Sequence, residues 1–236
     1  MLTRDEVEPY AAAFAAIGLE VVAMPVTHAA PPAEPHALAA LLRDHRYAAI
    51  VVASPRAAYA LLQAREHVDV LPEIFVVGPS TKRVFDIAHV TAHHAPGVID
   101  GAGLAQQLVA RRSLAGERVL VPRAEEGRED AIRILRDAGA IVDDVIAYRT
   151  VPTPPDDPRL ARGRELLAAR RAKVCAVFAP SQVTALDALA GGVAGLGCRF
   201  AAIGQTTAAA LRARGVADIA VAATPTPEGL AAASRE

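Results

Sequence analysis

Four short loops in this chain carry side chains and backbone suited to gripping an anion. They are Ser54-Pro55-Arg56, Gly78-Pro79-Ser80-Thr81, residues 122–128 (PRAEEGR) and Gly204-Gln205-Thr206-Thr207. Each follows an apolar run and precedes a helix-patterned stretch, so each is predicted where a strand ends and a helix begins. Helix N-termini offer free N–H groups and a partial positive charge there, and ligands of open α/β sheets bind at that edge. Gly78 and Gly204 let a ligand approach the backbone closely. Ser80, Thr81, Thr206 and Thr207 can cap the helix or bond the ligand. Arg56, Arg123 and Arg128 add fork-shaped donors that match carboxylates. The competing reading of any single loop is that its hydroxyls only cap and its arginine is only solvated. Four loops of the same composition favour the binding reading.

Tyr148 ends an apolar strand in Ala147-Tyr148-Arg149-Thr150. A phenol there can act as a proton donor or anchor a hinge. Other motifs carry less. Residues 191–197 (GGVAGLG) follow a helix and lack the context of a dinucleotide fingerprint. His93-His94 has no carboxylate or thiol at ligand spacing and is predicted as a solvated strand end, not a metal site. Glu125-Glu126 are adjacent on a loop and should diverge. Cys175 lies in an apolar run and reads as a buried small hydrophobe.

The elements that must position these loops alternate throughout. Strands are predicted over residues 19–24, 48–53, 74–77, 89–92, 118–121, 141–147, 174–178, 200–203 and 219–222. Helices are predicted over 6–17, 36–44, 56–64, 81–87, 103–112, 128–138, 158–171, 181–190, 206–214 and 227–234. The strands are mostly unbroken apolar runs, as in parallel sheets covered on both faces. Gly18, Gly139 and Gly215 stand where helix C-termini favour glycine. The chain also says nearly the same thing twice. Residues 50–62 (IVVASPRAAYALL) resemble 176–189 (AVFAPSQVTALDAL), and 75–81 (FVVGPST) resemble 201–207 (AAIGQTT). Two signatures recurring in one order imply two similar α/β units with a cleft between them. Proline clusters over 27–36 (THAAPPAEPH) and 149–158 (RTVPTPPDDP) read as two crossings between units. The expected division is a discontinuous outer domain, 1–27 plus 158–236, an inserted domain, 36–147, and connectors at 28–35 and 148–157.

Bulk composition narrows the function classes. The chain has 236 residues, 53% of them hydrophobic, with net charge −1. It can bury sizeable cores, and it has no global attraction for nucleic acid or an anionic membrane. No apolar stretch approaches a membrane span. The first six residues lack a signal peptide's apolar core, so a cytoplasmic protein is expected.

The ordered set of motifs resembles the uroporphyrinogen-III synthase family. The matching pieces are Thr3-Arg4, ASPRA at 53–57, VGPST at 77–81, LVPRAEEGRE at 120–129, GAIVDDVIAYRTVP at 139–152, FAPSQV at 178–183, AIGQTTAAAL at 202–211 and TPEGL at 226–230. The resemblance implies two flavodoxin-like parallel-sheet domains, the second inserted into the first, joined by a two-stranded connector. It implies cyclisation of hydroxymethylbilane, a linear tetrapyrrole with eight carboxylates, to uroporphyrinogen III. Ring D is inverted and water lost, through an azafulvenium and a spiro intermediate, with no metal or organic cofactor. Carried over by position, the cleft residues are Ser54, Thr81, Tyr148, Ser181, Arg199 and Thr207, with Tyr148 as proton donor. A monomer acting on a small molecule, with no nucleic-acid or membrane partner, is expected. Three departures stand out. Ala179 replaces a hydroxyl residue, Asp5 takes a place the family often gives to proline, and only two residues precede Thr3-Arg4 where the family has a full first strand. The alternative activity is a non-catalytic tetrapyrrole-binding or regulatory module of the same fold. A sugar-nucleotide transferase or a two-lobed solute-binding protein fits less well.

Overall fold

The structure is a computed structural model that describes residues 1–65, 68 and 70–235. The chain divides into two compact units, one of Met1–His28 with Val151–Glu236 and one of Ala29–Thr150. The second interrupts the first in sequence and is called here the inner unit.

The inner unit is built on a six-stranded sheet. Its order is β1 (Thr27–Ala30), β6 (Ile141–Pro152), β5 (Arg118–Ala124), β2 (Ala49–Val52), β3 (Glu73–Val76), β4 (His93–His94). The pairs β5–β6, β5–β2, β2–β3 and β3–β4 are parallel. Ile50 and Val52 enter one core with helices α2 (Ala37–Asp44), α3 (Pro55–Ala64) and α4 (Gly78–Ile87). Ala49 and Val51 enter the other with α5 (Gly101–Arg111) and α6 (Asp130–Asp137). Coverage on both faces is why β2 reads as an unbroken apolar run.

The discontinuous unit carries a parallel sheet of β7 (Val174–Val177), β8 (Arg199–Ala202) and β9 (Ile219–Val221). Helices α8 (Pro180–Ala190) and α9 (Gln205–Arg212) pack on one face. Helices α1 (Glu8–Ala15) and α10 (Pro227–Ala233) pack on the other. Leu2, fully buried, adds parallel bridges to Ala176 and to Ala23. The backbone of Leu2 donates to Val22 O at 2.9 Å and accepts from Met24 N at 2.8 Å. Met1–Thr3 therefore does the work of a minimal inner strand.

Several sequence expectations need correction. The strand predicted over 19–24 contributes only the Ala23 bridge, because one residue, Leu2, is all it has to pair with. The strand predicted over 89–92 falls instead at His93–His94. Helix α4 runs to Ile87, and the turn after it, with His89 at φ 53°, takes up the intervening residues. Helices α4 and α8 start earlier than predicted, at Gly78 and Pro180, since proline in a first turn is pre-set for helix and gives up only an unused N–H. The region predicted as a helix over 158–171 is a 3₁₀ turn, Pro158–Leu160, followed by α7 (Ala161–Ala168). Both proline-rich segments begin as strand. Thr27–Ala30 is β1 and Tyr148 to Pro152 is the end of β6. Pro31 and Pro152 stand at strand ends, where a missing donor costs least. The chain passes between the units inside these two neighbouring strands. Gly18, Gly139 and Gly215 all adopt positive φ, between 74° and 86°, as their helix-ending positions require. Among the described residues no helix is long and apolar enough to cross a membrane.

Candidate functional site

In the inner unit, β2, β3, β5 and β6 deliver their loops to one edge of the sheet. Ser54 is the N-cap of α3, and its Oγ accepts from Ala57 N at 3.2 Å. Tyr148 reaches the same place through an irregularity in β6. Arg123 pairs with Ile146, but Ala124 pairs with Tyr148, so Ala147 is an extra residue. Such a bulge re-aims the side chain beyond it. The Tyr148 phenol then lies 3.2 Å from Ser54 Oγ, close enough for either hydroxyl to donate. The Tyr148 carbonyl accepts from Glu125 N at 3.0 Å, which ties the strand to the loop after β5.

Tyr148 sits on the walls of two cavities. The larger, about 750 Å³, lies against α2, α3 and residues 29–32 and 35–36, and Arg56 lines it. The smaller, about 320 Å³, is lined by Ser54, Gly101, Arg123 and Arg128, among others. Arg128 is well exposed, 3.8 Å from Asp100. Asp100 caps α5 through Gly103 N at 2.9 Å, as a residue of its type before a helix should.

Arg123 turns out differently from its expected role. Its Nε and Nη2 donate to both Asp144 oxygens at 2.7 and 3.0 Å, and Nη1 donates to the carbonyls of Ala124 and Glu125 at 3.1 Å. The hydrogen bonds to Asp144 hold its pKa above the usual guanidinium value. Arg123 therefore fastens the loop and has little left for a ligand. The signal that would have shown this is Asp143-Asp144 inside an otherwise apolar strand, two carboxylates that must find partners. Asp143 finds Arg118, at 2.7 and 2.9 Å, and the Tyr47 hydroxyl at 2.8 Å. Gly78 opens α4 with φ +73°, a conformation suited to glycine. Ser80 is exposed beside it. Thr81 is 1% exposed and buried on the core side of α4, so its side chain is not presented at the surface. Glu125 and Glu126 are exposed in a turn.

The loops of the discontinuous unit follow the same plan with different chemistry. Ala179 occupies the N-cap of α8, where Ser54 stands in the repeat, and makes no side-chain cap. Gln182 compensates. Its Oε1 accepts from Phe178 N at 2.9 Å and lies 2.7 Å from the Thr3 hydroxyl. Ser181 is half-buried in the first turn. Gly204 is the N-cap of α9 with an extended backbone, Thr206 is exposed, and Thr207 is buried, only 3% exposed. Arg4 lies over the rings of Tyr10 and Phe178, 5.2 and 5.0 Å from their centroids.

Arg199 does not join this group. It is the first residue of β8 and pairs with Val174, at the opposite end of the strands from Ser181 and Gly204. At about 3.3 Å per residue, five residues of extended chain put it some 16 Å from Gly204. Its guanidinium lies 3.5 Å from Asp218. A motif position does not say which end of the strand it occupies, and Arg199 stands at the end away from the loops.

Among the described residues no cluster of three or more His, Cys, Asp or Glu side chains is arranged to hold a metal. His93 and His94 form half-buried β4, with the His93 ring 5.3 Å from that of Phe75.

The family model described as uroporphyrinogen-III synthase HemD matches residues 8–232. The chain belongs to the uroporphyrinogen-III synthase family. It is 31% identical over 199 residues to the chloroplastic uroporphyrinogen-III synthase of Oryza sativa subsp. japonica, a match covering 81% of this chain and 64% of that protein. It is 32% identical over 165 residues to the uroporphyrinogen-III synthase of Synechococcus elongatus, covering 65% and 61%. The chain thus spans less than two thirds of the length of either relative. The fold is shared with uroporphyrinogen-III synthetase from Helicobacter pylori 26695, at TM-score 0.63, 15% identity and 97% and 94% coverage of the two chains. It is also shared with a mutant uroporphyrinogen III synthase from the extreme thermophile Thermus thermophilus, at TM-score 0.54, 18% identity and the same coverages.

Proposed function

We propose that this chain is a lyase of tetrapyrrole biosynthesis that closes hydroxymethylbilane into uroporphyrinogen III. The observation that carries the reading is the Ser54–Tyr148 hydroxyl pair at the ligand-binding edge of the inner sheet, opening onto two cavities. The substrate's hydroxymethyl group is bound to a pyrrole whose nitrogen pushes electrons outward, so the C–O bond breaks readily once the oxygen is protonated. Tyr148 supplies that proton and water leaves, giving an azafulvenium cation. Ser54, hydrogen-bonded to the phenol and pinned by Ala57 N, holds the phenol in place through both steps.

Regiochemistry is the harder task. The cation must be attacked by the substituted carbon of ring D, forming a spiro centre. Breaking and re-forming the bond to ring D then inverts that ring. The proton lost as the last pyrrole regains aromaticity returns to the phenolate, and the enzyme ends unchanged. Holding the chain ends in this geometry is catalysis by proximity. In the inner unit the strand-end loop at Gly78–Ser80 binds a carboxylate through the N-terminus of α4. The pyrrole nitrogens provide the electronic push, so the scheme calls for no cofactor.

A second reading, a tetrapyrrole-binding module without turnover, is favoured by Ala179, which leaves one loop without its hydroxyl. Freshly prepared hydroxymethylbilane separates the two. The proposed enzyme yields isomer III faster than the substrate closes unaided to isomer I. A binding module alters neither the rate nor the isomer.

A further inference from the structure

The two cavities that share Tyr148 differ in charge. The smaller has Asp100 and Asp130 on its wall beside Arg123 and Arg128, so the formal charges cancel, and Arg123 is already committed to Asp144. The larger has Arg43 and Arg56, with His36 at its rim, and no carboxylate among the described residues that line it. Arg43 stands in the last turn of α2 and Arg56 in the first turn of α3. Both are exposed. Among the described residues neither makes an ion pair or a side-chain hydrogen bond, whereas Arg112, Arg118, Arg123 and Arg159 all do. Water solvates both guanidinium groups, and both are free to pair with the carboxylates of an anion that enters the cavity. The volume, about 750 Å³, lies within the range of roughly 300–1,000 Å³ typical of small-molecule sites. Ala29, Ala30, Pro31 and Pro32 give it an apolar wall fit for a flat ring.

We propose that this cavity is the subsite for the pyrrole that bears the leaving hydroxymethyl group, with Arg43 and Arg56 holding its two carboxylate arms and Tyr148 facing the departing oxygen. The inference rests on the function proposed above and adds Arg43, which no motif marked, as a residue that sets substrate orientation. A polycarboxylate is drawn to the wall that carries only positive charge, so the larger cavity takes the reacting ring.

Arg43→Gln and the double variant Arg43→Gln/Arg56→Gln test it, with Arg46→Gln, exposed on the same segment but absent from the cavity wall, as control. With hydroxymethylbilane as substrate, the single change should raise KM about five- to tenfold and the double change more, with kcat within about threefold of the parent. Loss of a charge-assisted hydrogen bond has effects of that order. Arg46→Gln should leave KM where it was. A parental KM in the double variant, or an equal rise in Arg46→Gln, overturns the subsite while leaving the proposed reaction standing. If the parent protein makes no isomer III, the proposed reaction fails, and the subsite is then decided by fluorescence titration with uroporphyrin III, an octacarboxylate. Weaker binding to the double variant than to the parent and Arg46→Gln supports it, and equal binding to all three overturns it.

Discussion

The Ser54 hydroxyl and the Tyr148 phenol lie 3.2 Å apart although 94 residues separate them in the chain. One comes from the cap of a helix and the other from beyond a bulge in a strand. Because Ser54 Oγ is also held by Ala57 N, removing it loosens both the helix start and the phenol. Ser54→Ala should lower stability by about 1 kcal/mol, the usual worth of an N-cap. It should also slow formation of isomer III about tenfold, the loss expected when a proton donor is less firmly positioned. Thermal unfolding and isomer-resolved assays of the one variant check both. A rate equal to the parent's would separate Ser54 from the chemistry.

Arg123 and Arg128 look alike in sequence and should behave oppositely. Arg123→Ala strips a partly buried partner from Asp144, and should destabilise the protein by about 2 kcal/mol with KM changed less than about twofold. Arg128→Ala, at an exposed residue, should leave the melting temperature unchanged and raise KM severalfold. Melting curves and steady-state kinetics on the pair would show whether the roles divide in this way.

Gly163 in α7 lies against Met24, and a Cβ there would come within 2.5–2.6 Å of the Met24 side chain, its Cβ included. Met24 is buried and has nowhere to retreat. Gly163→Ala, which elsewhere in a helix is stabilising, should here cost about 1–3 kcal/mol by overpacking. A raised midpoint in urea would contradict the close approach.

Asp157 accepts from the Arg159 side chain and backbone, and these hydrogen bonds lower its pKa from 3.8 to about 2. A carboxyl whose folded pKa is depressed stabilises the fold above its ordinary value and loses that contribution as pH falls toward the folded one. The melting temperature of Asp157→Asn should therefore lie below the parent's at about pH 5–7, and the gap should close between about pH 4 and pH 2. A gap that does not change over that window would remove the linkage.

Much of this was legible in the sequence because it depends on local rules. Apolar runs flanked by glycine and proline mark parallel strands, and the repeat pairs Ser54-Pro55 with Ala179-Pro180, so two units are legible in the sequence. The capping role of the Ser54 hydroxyl was legible because capping is a property of a residue and its next three neighbours. What was not legible depends on partners far away in the chain. Arg123 reads as a ligand-binding arginine until Asp144, on the neighbouring strand, is seen to take it. Arg199 reads as part of a site until its strand end is known. Thr81 and Thr207 read as free hydroxyls until the helix face that carries them is seen to point inward. Arg43 had no signal at all, since only the fold brings it to the wall of a cavity that Tyr148 also lines.

The most direct test of Tyr148 as proton donor is single-turnover formation of uroporphyrinogen III from hydroxymethylbilane by the parent protein and by Tyr148→Phe side by side. The parent should form isomer III, and the folded variant should form it about a hundredfold more slowly, the lower end of what a positioned proton donor contributes. Isomer III appearing at the same rate from both proteins, or only isomer I from the parent, would contradict the proposed reaction.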